Sequence, residues 1–486
     1  MKQTKMNIIV LMICGLLGLS DANAQEKPDA GEVLHLDLET AVQIALSENP
    51  LVKVANMEVE KKIYAKKSAY GALLPQVDLI GQFQHTLKRQ TMYLDSDMSS
   101  LFGGGSVDPG SFTPEELKVV EVLGKMMAPD PNASNDGIQV GRKNMWSGGL
   151  NVSLPLVVPS LWKNIQMSKV DLEMAVEQSR ASKIDLAHQV KKSFYSILLA
   201  KDSYELFQET YTTDSLNLVN IKNKFQQGVV AEYDVITADV RLKSIIPNIL
   251  QSESMLKIAE LQLKMLMGID EDLPVEIVGS LSDYEQWMFE AIVPADENLS
   301  GNSDLRAFDL QAMQAKNAYE MQKLQRLPTL TSSFSYSQIS QNNDFKINDY
   351  RWDPYSVVGV TLAIPLFNGG QRHYNIKQSE IQLSQLQEQR HNLKRGLQLS
   401  VKNSLEQINK SMEQVVAAGS SVGQAKKGYE ITQKRYETGM GTIVDLNAAA
   451  LAVTNAELQY RNAIYDYLAS KADLEKTIGY DINTTN

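Results

Sequence analysis

Two aspartates occupy matching places in two turns of this chain. Asp234 follows Gly228 in Phe225-Gln-Gln-Gly228-Val-Val-Ala-Glu-Tyr-Asp234, and Asp445 follows Gly439 in Tyr436-Glu-Thr-Gly439-Met-Gly-Thr-Ile-Val-Asp445. A glycine can take the left-handed conformation that closes a helix. Each aspartate then falls in the first turn of the next helix, where the helix dipole favours a carboxylate by about 0.3–1 kcal/mol. Thr442 and Asp445 have the spacing of a reciprocal capping pair, whereas Ala231 replaces the threonine before Asp234. No other group suggests chemistry. The 5 histidines (His35, His85, His188, His373, His391) form no i, i+4 pair and no zinc-hydrolase motif. There is no phosphate loop and no serine in a nucleophile-elbow context. The 19 methionines are dispersed along helices as gap-fillers rather than grouped as a soft-metal path. We therefore expect no enzyme, no cofactor and no metal centre.

The elements around the aspartates repeat. From 228 to 439 and from 234 to 445 the shift is 211 residues, and it holds from Gly268-Ile-Asp270 to Gly479-Tyr-Asp481. Asn49 to Phe83 matches Asn302 to Tyr336 at a shift of 253, with Leu74-Pro75 falling on Leu327-Pro328. Leu150-Asn-Val-Ser-Leu-Pro-Leu156 matches Val360-Thr-Leu-Ala-Ile-Pro-Leu366 at 210. Internal duplication of this kind implies a symmetric assembly built from one unit. The change of shift places about 42 extra residues in the Gly-, Ser-, Pro- and Asp-rich stretch 84–145 of the first half. Within it, Thr113-Pro114-Glu115-Glu116 reads as the capped start of a short helix to about Met127.

Each half reads helix, strand, loop, strand, very long helix, turn, long helix. The expected segments are a leader over 1–24, a first repeat over 25–270, a connecting segment over 271–300, a second repeat over 301–481 and a tail over 482–486. Strands are expected at about 76–90 and 145–157, then at 329–340 and 355–367; helical hairpins are expected over 159–268 and 370–478. Val190, Ile197, Tyr204, Tyr211, Leu218 and Phe225 are spaced by seven, as are their shifted partners Val401, Ile408, Val415, Val422, Tyr429 and Tyr436. That period predicts a helix holding one seam against a neighbour with left-handed supercoiling. Pro247, where the second half has Leu458, should bend only the first hairpin.

Composition narrows the class further. The net charge of −11 becomes −12 without residues 1–24, which carry Lys2 and Lys5 against Asp21. An acidic chain of this kind lacks the basic face of a nucleic-acid binder. Lys2 and Lys5, the apolar run Ile8–Leu19 and Ala22-Asn23-Ala24 read as a secretory signal peptide. The single cysteine, Cys14, lies in that run; as a lipid-attachment site it would follow Ile13, which is bulkier than such sites take. Removal at Ala24 leaves no thiol, hence no disulfide. No later segment has the length of a transmembrane helix, so a membrane crossing would have to use strands.

The strands suit that task. Val77, Leu79 and Phe83 alternate with Asp78, Gln82 and Gln84; Leu150, Val152 and Leu154 alternate with Asn151 and Ser153; Val358, Val360, Leu362 and Ile364 share a face. This pattern fits a lipid-facing barrel strand and an ordinary half-buried sheet equally. Trp146, Tyr350, Trp352 and Tyr355 flank the strands and suit an aromatic girdle. Four strands cannot close a barrel, whereas three copies supply twelve strands and six hairpins. The expected fold is mainly α with membrane β: a trimeric α/β-barrel, its 12-stranded membrane β-barrel continuous with a long coiled α-helical barrel, with internal duplication. The rival is a trimeric coiled-coil surface stalk or adhesin with a structural role, which would have no need of strands ahead of each hairpin. A periplasmic scaffold is a third reading.

The chain also resembles a known family. Leu36-Asp-Leu-Glu-Thr-Ala-Val-Gln-Ile-Ala-Leu46 with Glu48-Asn-Pro50, Asn302-Ser-Asp-Leu-Arg-Ala307, and Tyr436–Asp445 look like the opening helix, its second-half counterpart and the periplasmic tip of the TolC family of outer-membrane efflux proteins. The resemblance covers nearly the whole mature chain. It implies a homotrimeric exit duct in the outer membrane of a Gram-negative cell, surrounded by outer-membrane lipid and reaching into the periplasm. It implies as partners a periplasmic adaptor (membrane fusion) protein and an inner-membrane transporter of the RND or ABC type, in a tripartite efflux or type I secretion system. Asp445 matches an acidic position that rings the closed end in the family, and Asp234 and Tyr436 match residues tying neighbouring hairpins together. Gly228, Gly439, Gly441 and Thr442 fall at the tips that the adaptor would contact. The chain departs from the family at Gly441, where a basic partner is expected, and at Ala448, where a second acidic residue is expected.

Overall fold

Side-chain caps mark the start of several helices, with α-helical starts at Asp37 and Thr442 as the clearest cases. The computed structural model describes residues 33–92, 113–119, 138–288 and 299–479. Helix α1 (Leu38–Glu48) starts on Asp37, whose carboxylate accepts the Thr40 N–H at 2.8 Å. Helix α2 (Pro50–Gly71) follows directly. The long helices are α3 (Pro159–Gln226, 68 residues), α4 (Glu232–Met267, 36 residues), α6 (Gln371–Glu437, 67 residues) and α7 (Ile443–Ile478, 36 residues), with α5 (Ser303–Leu324) before the second set of strands. Pro247 lies inside α4, which continues through it. Among the described residues no helix is long and apolar enough to cross a membrane.

The chain divides into two compact units, one of residues 1–57, 177–307 and 391–486, the other of residues 58–176 and 308–390. The first is helical around a core that includes Leu36, Val190, Phe194, Ile197, Leu263, Met267, Ile408, Ile464 and Tyr467. A short parallel pair, β1 (Leu34–Leu36) with β6 (Val275–Ile277), lies beside it. Two asparagines make the same bond in the two halves. Asn49 Nδ2 donates to the Leu266 carbonyl at 2.8 Å while its Oδ1 accepts the Leu51 N–H. Asn302 Nδ2 donates to the Thr477 carbonyl at 2.8 Å while its Oδ1 accepts the Leu305 N–H. Each ties the start of an early helix to the last turn of the returning one, satisfying carbonyls that a helix end leaves unpaired. On the seven-residue seam, Val190, Ile197, Leu218, Val401, Ile408 and Val415 are buried, but Tyr211 and Phe225 are exposed on the single chain.

The second unit holds an antiparallel sheet in the order β2–β5–β7–β8: β2 (Gln76–His85), β5 (Asn144–Val157), β7 (Thr329–Asn342) and β8 (Asp353–Ala363). Val77, Val152, Phe334 and Val358 stand in one row, and Leu79, Leu150 and Tyr336 in the next. Asp78, Asn151, Ser335 and Val357 form a row on the opposite face, which is polar on three of its four strands. The apolar face is bare: Leu79 is 82% and Val358 74% exposed. Leu156 is skipped in the pairing with β7, so Val157 joins Leu330 and Leu362 on the apolar side.

Several sequence expectations change in detail. The strand expected to about residue 90 ends at His85, and Gln90–Met92 (β3) pairs instead with Ile138–Val140 (β4), a ribbon inside what reads as loop. The strand expected to 367 ends at Ala363, before Pro365. Trp146 lies within β5, its ring centroid 4.3 Å from that of Phe83. Trp352 and Tyr355 are exposed, but Tyr350 is buried and its hydroxyl donates to the Asp344 carbonyl. Residues 114–119 are helical, with the Thr113 N–H donating to Glu116 Oε2 at 3.0 Å. The leader with Cys14, residues 120–127 of that helical run and the tail 482–486 lie outside the described residues.

Candidate functional site at the hairpin tips

Both tips are built from the same backbone bonds. Gly228 takes φ +73°, its N–H donating to the Phe225 carbonyl and the Val229 N–H to the Lys224 carbonyl at 2.9 Å. Gly439 takes φ +75°, with the Gly439 N–H on Tyr436 and the Met440 N–H on Arg435 at 2.8 Å. These are paired closures around a left-handed residue, and a Cβ at either glycine would strain the turn.

The helices that follow start differently. In the second tip the Asp445 N–H donates to Thr442 Oγ1 at 3.1 Å, and the Thr442 N–H donates back to Asp445 Oδ2 at 3.2 Å. The Thr442 hydroxyl also donates to that oxygen at 2.8 Å. These bonds hold the Asp445 carboxyl below its usual range, and the Arg435 guanidinium adds a smaller pull. In the first tip Ala231 offers no side-chain cap. Its Asp234 is half-buried, and across the tips burial raises the Tyr436 phenol while the Asp234 charge raises it further. The Asp234 charge thus reaches the Tyr436 phenol without a hydrogen bond to it, whereas Asp445 is exposed and bonded within its own helix. A Cβ at Gly441 would come within 3.2 Å of the Arg435 Cβ and 3.3 Å of the Tyr436 nitrogen. A side chain there requires its neighbours to shift.

The two hairpins meet through a small apolar cluster of Leu218, Ile221, Ala238, Ile443 and Leu446, flanked by Tyr429 and Tyr436. The Tyr436 hydroxyl oxygen is buried without a hydrogen-bond partner, and the Lys224 ammonium lies 5.4 Å from its ring centroid. Above the cluster sits an ion pair that sequence reasoning did not find. Arg241 on α4 lies 2.9 Å from Asp214 on α3, with both side chains nearly buried, and Arg241 Nη1 donates to the Asn447 carbonyl on α7 at 2.7 Å. Burial raises the Asp214 carboxyl more than the guanidinium lowers it. One signal was available: Asp214 stands three residues after seam position 211, a charged residue where a heptad wants an apolar one. Shifted by 211 residues, Asp214 and Arg241 become Ala425 and Ala452, so the second hairpin has no copy of this tie. Among the described residues no three histidines, cysteines or acids group to hold a metal.

The family model for outer membrane efflux proteins matches residues 41–269 and 295–480. The chain is 23% identical over 343 residues to the outer membrane protein TolC of Vibrio cholerae, covering 69% of this chain and 77% of that one. It is 22% identical over 331 residues to the alkaline protease secretion protein AprF of Pseudomonas aeruginosa, covering 67% and 68%. The solved structure of the outer membrane protein VceC from Vibrio cholerae superposes with a TM-score of 0.68 at 14% identity, covering 91% of this chain and 96% of that one. The chain belongs to the outer membrane efflux protein family, and it is an outer-membrane transport protein of the TolC type.

Proposed function

We propose that three copies of this chain assemble into an exit duct that passes solutes across the outer membrane without reacting with them. The observation that carries this reading is the four-stranded sheet, most of whose apolar residues line up in register on one exposed face. Its outer strands β2 and β8 have no further partner among the described residues. In lipid, open strand edges leave backbone groups unsatisfied. Pairing β2 of one copy with β8 of the next closes twelve strands around water and sets six hairpins in a ring.

The duct works with a periplasmic adaptor and an inner-membrane transporter of the RND or ABC type. The adaptor engages the tips at Gly228, Gly439, Gly441 and Thr442. Asp445 supplies a ring of carboxylates at the tube's narrow end, and Asp234 and Tyr436 hold adjacent hairpins in the closed state. Support for an export role comes from the family and from the secretion protein among the relatives. The test is reconstitution in a planar bilayer combined with cysteine pairs placed along β2 and β8. The expected results are discrete conductance steps and disulfide-linked trimers; a monomer passing no current would overturn the reading, and current-free trimers would favour a stalk.

A further inference from the structure

At the foot of the sheet lies a groove of about 540 Å³, inside the unit of residues 58–176 and 308–390. That is within the common range for small-molecule sites of about 300–1,000 Å³. Val157, Pro159, Trp162 and Leu324 give it apolar walls. The skipped Leu156 puts Val157 on the apolar side of the sheet, so the wall continues that face without a break. Trp162, in the first turn of α3, is 59% exposed, a large outlay of apolar surface beside an already bare face.

The polar groups of the groove are arranged unevenly. Lys163, its side chain only 9% exposed, pairs with Glu320 of α5 and donates to Gln166 Oε1 at 2.8 Å. That pair neutralises itself. Lys323, one turn further along α5, is exposed; its ammonium stands 4.2 Å from the Tyr319 ring centroid, and no carboxylate lies within 4.0 Å of it among the described residues. Among the lining residues two ammonium groups stand against one carboxylate, an excess of one positive charge, with the Glu380 carboxylate of α6 near enough to feel Lys323 as well. An indole beside a cation at the end of a lipid-facing surface is the arrangement found where hydrocarbon gives way to headgroups.

We propose that this groove binds one phospholipid, an acyl chain lying along Val157, Trp162 and Leu324 and the phosphodiester resting on the Lys323 ammonium. The occupant follows from the continuity of the apolar wall with the sheet face and from the net positive charge of the groove's own lining. The inference rests on the sheet being the membrane-facing element proposed above.

The test uses the full-length protein in detergent micelles carrying phosphatidylglycerol with brominated acyl chains, which quench nearby indoles. The Trp162→Phe variant isolates the Trp162 signal from that of the other three tryptophans. Trp162 should be quenched at low lipid fraction, and Lys323→Glu should shift the half-quenching lipid fraction upward by about fivefold, a loss of about 1 kcal/mol. Lys323→Arg should keep the wild-type value, and added inorganic phosphate should not displace the lipid. Equal quenching in Lys323→Glu and wild type would overturn the phosphate contact. An unquenched Trp162, as when a neighbouring copy covers it, would overturn the site. The assay runs in micelles whether or not the protein conducts, so a conducting protein with an unquenched Trp162 defeats this inference alone. A bilayer experiment without current or trimers defeats the duct.

Discussion

The two hairpin tips share a turn but not a helix start. Both close on a left-handed glycine with matching backbone bonds. In the second tip Thr442 and Asp445 satisfy each other's backbone N–H groups, so the Asp445 carboxylate is occupied by its own helix. In the first, Ala231 leaves that box unmade, and Asp234 lies near enough to Tyr436 of the other hairpin to perturb its phenol. Both aspartates lie in a first helical turn, but only Asp445 is also held by a capping hydroxyl. The ion pair behind the tips is equally one-sided, present between Arg241 and Asp214 and replaced by two alanines, Ala452 and Ala425, in the other hairpin.

That asymmetry can be broken, most severely at Arg241. Arg241→Ala strands a buried carboxylate at Asp214, and we expect a loss of about 3–5 kcal/mol in denaturant unfolding. The double variant Asp214→Leu with Arg241→Met should recover most of it, because an apolar pair removes the unpaired charge as well as the bond. If Arg241→Ala cost no more than an exposed substitution, the tie between hairpins would be incidental.

Exchanging the caps sharpens the comparison. Thr442→Ala should cost about 1 kcal/mol, and Ala231→Thr should gain a similar amount by building the missing box around Asp234. Hydrogen exchange of the first-turn amides would read both changes. If Ala231→Thr captures Asp234, the Tyr436 phenol should also titrate closer to its normal range.

Charge removal at the two aspartates should give smaller, distinguishable effects. Asp445→Asn keeps an acceptor for the cap while deleting the charge, and should lower cation-over-anion permeability by about twofold if the carboxylates ring the pore. Asp234→Asn should act mainly on how often the channel opens. Unchanged selectivity in Asp445→Asn would restrict that residue to capping.

Acid gives the smallest difference. Bonding to Thr442 depresses the Asp445 carboxyl in the folded state, so its contribution is present above the unfolded value of about 3.9 and lost as pH falls through the lower folded value. Pepsin digestion between about pH 5 and 2 should therefore begin to cut the second tip only at the acid end, while the uncapped first tip shows no such Asp445-linked step. Asp214 has the opposite sign: burial raises its carboxyl, so the group costs stability as pH rises through its folded value.

Much of this fold could be read from local pattern. Gly228 and Gly439 mark the tips because few residues tolerate their φ, and Thr442 with Asp445 is a bond pair written three residues apart. Alternation put Val77 with Leu79 and Val358 with Val360 on shared faces, since strand side chains repeat every two residues. What escaped depended on distant partners. The β3–β4 ribbon joins Gln90 to Val140 across a long polar stretch, and Tyr350 turned inward to reach Asp344 rather than outward to a girdle.

Caps, heptads and alternation act over a few residues, so the helix ends, much of the seam and the two-faced strands were legible in the chain before it folded. It took the packed fold to set Arg241 between Asp214 and Asn447, to let the Asp234 charge reach the Tyr436 phenol, and to turn Val157 into the groove wall past the skipped Leu156. Those contacts depend on the register of whole helices and strands against one another, which is set by summed packing rather than by any local signal.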